Sequence, residues 1–394
     1  MNPAASASAS ATATAAAGNA SADGSVVDAP PDGAVLDTPP GAGPDADAVA
    51  TPSRWRAAGM ATLRWAAALA GALVIFGLFL FARGASPVDA YLAMLDSAFG
   101  DSRAIGDTLL RATPLLLAAL AVAVPARAGM FNIGGEGQLV LGAVGAMAMS
   151  FALDGAIAGP PAFVLLALAG MVAGACWALI PAILKVVLRT NEAIVSLLLN
   201  YVAVIVLTWL VFEPWKDPKS TGQAYSKALP SDERLPILWA NRVHVGIILA
   251  IVAAFVIWAA FRSTRWGFKL QVLGGNPEAA RRAGLRVGAL AVGAMAVGGA
   301  LAGLGGMLEV SGVEGRLRPG IMVGFGYIGF LASWLAKHHP LKAIVSAFVL
   351  AAIAIGGNGL KIEAGVSGAA VNVLMALVLL AVLGFARPNT KATS

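Results

Sequence analysis

Long apolar runs with almost no charge fill most of the sequence after residue 60, and short polar or basic connections separate them. Hydrophobic residues make up 58% of the chain and charged residues only 12%, which is too little charge for an ordinary soluble surface. The runs are long enough for helices and lack the alternation of strands. We therefore predict an all-α polytopic membrane protein of about ten transmembrane helices, some broken or re-entrant.

The predicted spans are separated by connections of unequal charge. With the amino terminus inside the cell, the inner connections are mainly basic, whereas the outer ones carry as many acids as bases, so both termini are predicted to be cytoplasmic. One outer loop carries Asp89, Asp96, Asp101 and Asp107, and another runs from Glu213 to Arg242. The spans are predicted at about residues 61–82, 108–126, 136–153, 161–184, 193–212, 243–261, 288–309, 321–336, 341–356 and 366–386.

The two ends of the chain differ from the apolar part between them. Residues 1–53 are rich in Ala, Ser, Thr, Pro, Gly and Asp and contain no aromatic residue, so we predict a disordered cytoplasmic tail. Residues 54–388 are predicted to form the transmembrane domain and residues 389–394 a short cytoplasmic tail. The single cysteine, Cys176, lies in an apolar run and is expected only to pack. We expect no metal site and no cofactor.

A charged island interrupts the apolar runs at residues 261–287, FRSTRWGFKLQVLGGNPEAARRAGLRV. Within it, Asn276 is a good N-cap, Pro277 suits the first helical position and Gly284 suits a left-handed C-cap. The pattern predicts a helix of about two turns on a connection between spans. Two interpretations fit this helix: a rigid contact that another protein pushes, or an ordinary basic loop that only fixes topology.

Polar residues recur where the apolar pattern predicts membrane depth. In residues 127–138, RAGMFNIGGEGQ, one interpretation is a half-broken helix beside a conduit, and the other is a simple turn with Glu136 in the first turn of the next helix. Asn200 lies deep in a span, where it either bonds a neighbouring helix or faces a pathway. Phe325 and Tyr327, in GFGYIG, either stack on a flat ring or close a gate, or else they anchor a span at the interface.

Four motifs, in order, resemble those of permease subunits from bacterial ABC importers for simple sugars and nucleosides, within the ribose, nucleoside and branched-chain amino acid permease superfamily. They are GMFNIGGEGQ, NEAIVSLLLNY, GGNPEAARRAGL and GFGYIG, and the resemblance spans about residues 60–386. The GMFNIGGEGQ motif is more similar to that of the nucleoside branch than to that of the ribose branch. The resemblance implies a bacterial inner-membrane location and four kinds of partner: ABC ATPase subunits, a second permease copy or paralogue, an extracytoplasmic solute-binding protein and membrane lipid.

The resemblance also implies roles for particular residues. The basic helix becomes a cytoplasmic coupling helix that docks on the ATPase, and the polar residues become candidates for the translocation pathway. The predicted coupling residues are Gly274, Gly275, Asn276, Pro277, Glu278, Ala279, Ala280, Arg281, Arg282 and Gly284. The predicted pathway residues are Phe131, Asn132, Glu136, Gln138, Asn200, Phe325 and Tyr327.

Several classes of function are disfavoured by the sequence. It has no G-x-x-x-x-G-K-[ST] loop for nucleotide phosphates, no catalytic cluster, and no single basic face for nucleic acid. No Asp, Lys or His stands in the middle of a span as a proton relay, which favours an external energy source such as ATP hydrolysed by a partner. An ion-coupled secondary transporter of a small polar solute is the alternative, and a membrane-embedded enzyme or scaffold is a third hypothesis. Few charges line the predicted path, which indicates a neutral solute.

Overall fold

The structure is a computed structural model that describes residues 54–385, apart from residues 241, 364, 366 and 368–369. Most of this part is helical, so the predicted fold class is confirmed. The helices are α1 Arg54–Ala82, α2 Pro87–Phe99, α3 Ser102–Arg127, α4 Gly135–Leu153, α5 Pro160–Leu188, α6 Glu192–Phe212, α7 Gly246–Ser263, α8 Arg265–Gly275, α9 Pro277–Arg282, α10 Val287–Glu309, α11 Phe325–Leu335, α12 Pro340–Glu363 and α13 Ala370–Phe385. The tails predicted at residues 1–53 and 389–394 lie outside the described residues.

Each of the predicted spans coincides with a helix, but the helices differ in length. Among the described residues, 7 helices are long and apolar enough to cross a membrane: α3, α4, α5, α6, α7, α10 with the π-helical turn after it, and α12. Leu69–Ala82 of α1 and α2 pass the same test together, which gives up to 8 spans if this pair, bent by 115°, is one broken or re-entrant span. Helices α11 and α13 are apolar but shorter. The predicted mixture of full and broken spans is therefore present.

Two helices occupy stretches for which the sequence analysis predicted loops. Helix α2 replaces the first part of the aspartate-bearing loop; it begins with Pro87 at its first position, and its residues Ala93 and Met94 are buried. Of the other aspartates, Asp101 caps α3 by accepting a hydrogen bond from the Ala104 N–H at 2.7 Å. Helix α8 precedes the predicted coupling helix. Both helices are amphipathic and short, so neither gave the continuous apolar signal of a span.

Helix α10 packs against α4 and α5 through glycine. A Cβ atom on Gly303 would overlap the Gly170 carbonyl oxygen and lie 3.1 Å from Gly174 Cα. A Cβ atom on Gly142 would lie 2.7 Å from the carbonyl carbon of Gly303. The three backbones are therefore in direct contact, which is how helices without large side chains pack tightly in a membrane.

The connections between helices gather at two ends of the bundle. At one, the α9 end, α8 and α9 lie beside the α3–α4 connection, since Arg127 Nη2 donates to Gln271 Oε1 at 2.8 Å. At the other, the hairpin end, the long loop between α6 and α7 contains strands β1 Ile237–Trp239 and β2 Val243–His244, which pair antiparallel. An ion pair of 2.5 Å joins this loop to α3, from Arg242 Nη1 to Asp107 Oδ1.

Backbone hydrogen bonds join the α6–α7 loop to the connection between α10 and α11. The N–H of Ser226 donates to Leu317 O at 3.0 Å, and the N–H of Leu229 donates to Gly315 O at 2.8 Å. A buried carboxylate also ties the loop to α4, because Glu233 accepts a hydrogen bond from the Ser150 hydroxyl. The polar loop expected from the sequence is thus an ordered part of the fold.

One buried histidine lies in this loop, just before α7. The His244 side chain is 1% exposed, and its Nδ1 accepts a hydrogen bond from the Gly246 N–H at 3.0 Å. Its ring packs against Gly246 and Gly312, where side chains would collide with it. Burial lowers the pKa of His244 from 6.5 to about 4, because the charged imidazolium would lose its hydration. The imidazole is therefore neutral at physiological pH.

Candidate functional site

The segment between α3 and α4, residues 128–134, folds back into the bundle. Helix α3 ends at Arg127, yet Asn132 Nδ2 donates to Ala121 O at 3.0 Å, which places Asn132 about one and a half turns above that end. Asn132 is fully buried. Glu136 lies in the first turn of α4, as the simple-turn interpretation predicted. However, the chain returns to the level of Ala121 before α4 begins, and that is the geometry of a broken helix.

Two amide side chains hold this returning segment in place. Gln138 Nε2 donates to Asn132 Oδ1 at 2.8 Å, and Asn132 Nδ2 donates to Gln138 Oε1 at 2.9 Å. Asn132 Oδ1 also accepts the Gly134 N–H at 3.2 Å. Both side chains are buried and bonded to protein. They stabilise the irregular backbone, and their place in the pathway stays a prediction.

Asn200 joins three parts of the chain. Its Oδ1 accepts from the Gly137 N–H at 2.9 Å, while its Nδ2 donates to Ile133 O at 3.0 Å and to the Tyr327 hydroxyl at 3.3 Å. Of the two interpretations offered for Asn200, this geometry supports the bond to neighbouring elements. It also places a residue of α6 beside the first turn of α11.

The carboxylate of Glu136 closes the amino-terminal end of α11. Its Oε1 accepts from the Gly324 N–H at 2.6 Å and its Oε2 from the Gly326 N–H at 2.7 Å. Because Glu136 also lies in the first turn of α4, the positive ends of two helices converge on one carboxylate. The close approach requires glycine, since a Cβ atom on Gly326 would lie 2.5 Å from Glu136 Cα.

A cleft of about 450 Å³ opens beside this junction, between α3, α11, α12 and α13. Three of its lining side chains are polar, those of Arg111, Tyr327 and Asn372, and most of the others are aliphatic. Among the seven predicted pathway residues, Tyr327 is the one that lines this cleft. The cleft has the size of small-molecule sites, and its surface combines apolar atoms with a large polar share.

Arg111 is a site residue that the sequence analysis missed. Its guanidinium carbon lies 3.8 Å from the ring centroid of Phe325, so the predicted aromatic supports a cation at the edge of the cleft. The signal that could have found it is a lone arginine in the apolar stretch TLLRATPLLLAALAVAV, close to the predicted start of the second span.

Phe131 lies away from the cleft, at the α9 end. Its ring is 50% exposed and stacks on the ring of Trp334 with 6.4 Å between centroids. Its N–H donates to Glu192 Oε1 at 3.1 Å, and the same oxygen is 2.5 Å from Lys185 Nζ. Phe131 therefore links the segment between α3 and α4 to the α5–α6 connection and to the end of α11.

The predicted coupling helix has the form that its caps indicated. Helix α9 begins at Pro277, and Asn276 Oδ1 accepts from the Glu278 and Ala279 N–H groups, each at 3.0 Å. Gly284 has a φ of 76°, in the left-handed region. Ala280 is buried, whereas Glu278 and Arg281 form an exposed ion pair of 2.8 Å. The exposed face is available to a partner.

The end of α8 lies directly against the segment between α3 and α4. A Cβ atom on Gly274 would overlap the Arg127 carbonyl oxygen and come within 3.1 Å of Gly129 N. Gly129 has a φ of 73°, which favours glycine there for a second reason. A continuous chain of contacts thus runs from α9 through α8 and Gly129 to Glu136 and the cleft. In the part of the chain that the structure describes, no cluster of His, Cys, Asp and Glu could hold a metal ion.

Comparisons with known proteins place this architecture among transport components. Residues 104–383 match the family model described as "Branched-chain amino acid transport system / permease component". The chain is 35% identical to the glucose ABC transporter permease protein TsgB13 of Haloferax volcanii over 344 residues, 84% of this chain and 88% of that protein.

Two further relatives are named for nucleosides. The chain is 33% identical to the guanosine ABC transporter permease protein NupP of Bacillus subtilis over 309 residues, 77% of this chain and 87% of that protein. It is 28% identical to the nucleoside ABC transporter permease protein NupB of Lactococcus lactis over 324 residues, 78% of this chain and 87% of that protein. No solved structure matches the chain.

Proposed function

Because this chain belongs to the family of branched-chain amino acid transport system permease components, and is an ABC transporter permease, we propose that it imports a neutral polar solute, a nucleoside or a simple sugar. It is a multi-pass membrane protein and a transport component. The kinship with ABC permeases favours this function over an ion-coupled secondary transporter.

The proposed location is the bacterial cytoplasmic membrane, with the α9 end and both termini in the cytoplasm. The distribution of charge supports this orientation, because the connections at the α9 end are mainly basic. These basic residues include Arg127, Lys185, Arg189, Arg262, Arg265, Lys269, Arg281, Arg282, Arg286 and Lys337.

The proposed partners are ATPase subunits at the α9 end, a second permease copy or paralogue, and a solute-binding protein at the hairpin end. The absence of a nucleotide-binding loop from the sequence supports a separate ATPase. The exposed Glu278, Arg281 and Arg282 of α9 support docking there, because their ion pairs are confined to one short helix and leave its outer face open.

The proposed mechanism passes a displacement of α9 to the cleft. When ATP closes the ATPase pair, α9 moves α8, whose Gly274 abuts Gly129. The segment that follows Gly129 leads to Glu136, which holds the first turn of α11. A shift of this segment therefore moves Tyr327 and the cleft wall, and changes access between the two sides.

The neutral character of the solute rests on one observation, the occupation of the α11 end by Glu136. Free helix ends within membranes bind anionic groups of transported solutes. Here the protein itself supplies the anion, and two helix ends share it. An anionic solute would meet a carboxylate instead of open N–H groups, so an uncharged nucleoside or sugar is favoured.

Transport by the complete importer in proteoliposomes tests the proposal. Labelled nucleoside or sugar should accumulate with ATP and the binding protein, and should continue to do so after an ionophore has collapsed ion gradients. Uptake that needs a gradient and persists without ATP would reject the ABC importer function.

A further inference from the structure

Arg111 lies about two and a half turns inside α3 and has hydrogen-bond donors without partners. In the described part of the chain, its guanidinium takes part in no hydrogen bond or ion pair, and its Nε is buried without an acceptor. A guanidinium offers five N–H donors and accepts none. Arg111 lines the cleft and its guanidinium has no hydrogen-bond partner within the described protein, so the cleft is suited to a ligand that brings acceptors.

Two acidic side chains of the protein interact with the charge of Arg111. Glu309, buried near the end of α10, and Glu136 both act electrostatically on the guanidinium. The ring of Phe325 lies under it at 3.8 Å. Because acidic side chains of the protein already interact with this charge, neutral oxygen and nitrogen acceptors suit the unpaired N–H donors of Arg111.

The other residues that line the cleft fit a nucleobase better than a free sugar. A sugar presents hydroxyl groups around most of its edge, and an aliphatic lining would leave many of them without partners. A nucleobase has two apolar faces and a polar edge, which matches an aliphatic wall with a few polar groups. The aliphatic lining consists of Val323, Ile328, Leu331, Ala354, Val371 and Met375.

We propose that this cleft holds the base of a nucleoside and that Arg111 selects 6-oxopurine bases. The inference rests on the proposed import function and names its substrate class. A guanidinium donates two parallel hydrogen bonds to the O6 and N7 atoms of such a base, whereas adenine presents an amino donor in place of O6. Phe325 holds the guanidinium from below, and Tyr327 and Asn372 offer hydrogen bonds to the rest of the nucleoside.

Photolabelling of the purified full-length chain in lipid nanodiscs tests this proposal without ATPase or binding protein. The probe is radiolabelled 8-azidoinosine, with inosine, adenosine and glucose as competitors and with peptide mapping of the label. The variants are Arg111→Lys, which keeps the charge and loses the planar fork, and Arg111→Gln. The matched control is Arg103→Gln, an exposed arginine of the same helix.

The label should map to peptides that contain Tyr327 or Asn372, and inosine should protect them at about one tenth of the adenosine concentration or less. In Arg111→Lys this preference should disappear, while Arg103→Gln should keep it. Arg111→Lys keeps the charge near Glu309 and Glu136, so a purely structural role for that charge would leave the preference intact and overturn the proposal.

Other outcomes also decide the question. Equal protection by adenosine, protection by glucose as good as by inosine, or labelling away from the cleft would each overturn the inference. ATP-driven uptake by the complete transporter distinguishes the failure of this inference from the failure of the proposed function. If import is present but the labelling preference does not depend on Arg111, only this inference is overturned. Absence of ATP-driven import defeats the proposed function.

Discussion

Gly129 and Gly274 touch backbone to backbone, and neither position has room for a side chain. Gly129 lies at the start of the segment that returns into the bundle, and Gly274 lies at the end of the helix that leads into α9. In the proposed mechanism, this contact passes a displacement at the α9 end to the broken helix through backbone atoms, without a flexible side chain between them. This contact makes the proposed coupling testable by single methyl groups.

The two adjacent glycines at the end of α8 provide a matched pair. Gly274→Ala should lower ATP-driven uptake about tenfold or more, because its methyl group would overlap the Arg127 carbonyl and cost about 1–3 kcal/mol in displaced backbone. Gly275→Ala should lower uptake far less, because nothing lies within 4 Å of a Cβ atom there, although Gly275 is also among the predicted coupling residues. Uptake and ATP hydrolysis in proteoliposomes measure both. Equal uptake by the two variants would contradict the coupling route.

The exposed ion pair of α9 should matter for docking and little for folding. In the double variant Glu278→Ala/Arg281→Ala, the permease should insert normally and keep its thermal unfolding temperature, because exposed pairs contribute little to stability. ATP turnover should become independent of solute uptake. Co-purification with the ATPase and the ratio of solute imported to ATP hydrolysed are the measurements. Normal uptake by this variant would argue against a docking role for this face.

The carboxylate of Glu136 should be needed for the stability of the junction with α11. Glu136→Ala leaves the Gly324 and Gly326 N–H groups without acceptors and should cost about 2–4 kcal/mol. Glu136→Gln keeps one oxygen acceptor and should cost less. Thermal unfolding in detergent should rank wild type above Gln and Gln above Ala. An alanine variant as stable as wild type would show that water satisfies these donors.

The buried His244 predicts acid sensitivity at the hairpin end. Its pKa is about 4 in the folded chain and 6.5 when exposed, so between these values the unfolded state binds more protons. The contribution of His244 to the free energy of unfolding should be fully present above about pH 6.5, and the free energy of unfolding should fall by about 3 kcal/mol as the pH drops to about 4. Unfolding temperatures across this range measure the slope. In the control variant His244→Asn, the asparagine side chain can accept the hydrogen bond from the Gly246 N–H but does not titrate. If stability depends on pH just as strongly in this variant, the dependence comes from other groups.

Local sequence signals predicted the helices and caps well. The bounds of α9 follow from Asn276, Pro277 and Gly284, whose effects act within one turn and need no partner elsewhere. Helices α2 and α8 were missed for the opposite reason. Their apolar faces are short, and they are helical because they lie against α12 and α3, which the sequence does not reveal.

The site was predicted residue by residue but not as an arrangement. Glu136, Asn200 and Tyr327 were each singled out as polar groups at membrane depth, yet the bonds that connect them join α4, α6 and the first turn of α11. Such long-range pairing depends on how the helices pack. Arg111 was missed because the second span was predicted to start near residue 108, whereas α3 starts at Ser102 and places the arginine well inside the bundle.

Backbone hydrogen bonds between the α6–α7 loop and the α10–α11 connection join the hairpin end to the start of α11. The Ser226–Leu317 and Leu229–Gly315 hydrogen bonds join that loop to the segment that leads into α11. If the proposed solute-binding protein docks on this loop, it contacts the part of the chain that continues into α11, whose first turn Glu136 holds from the other side. In the proposed importer, solute delivery and ATP-driven motion then act on the same helix.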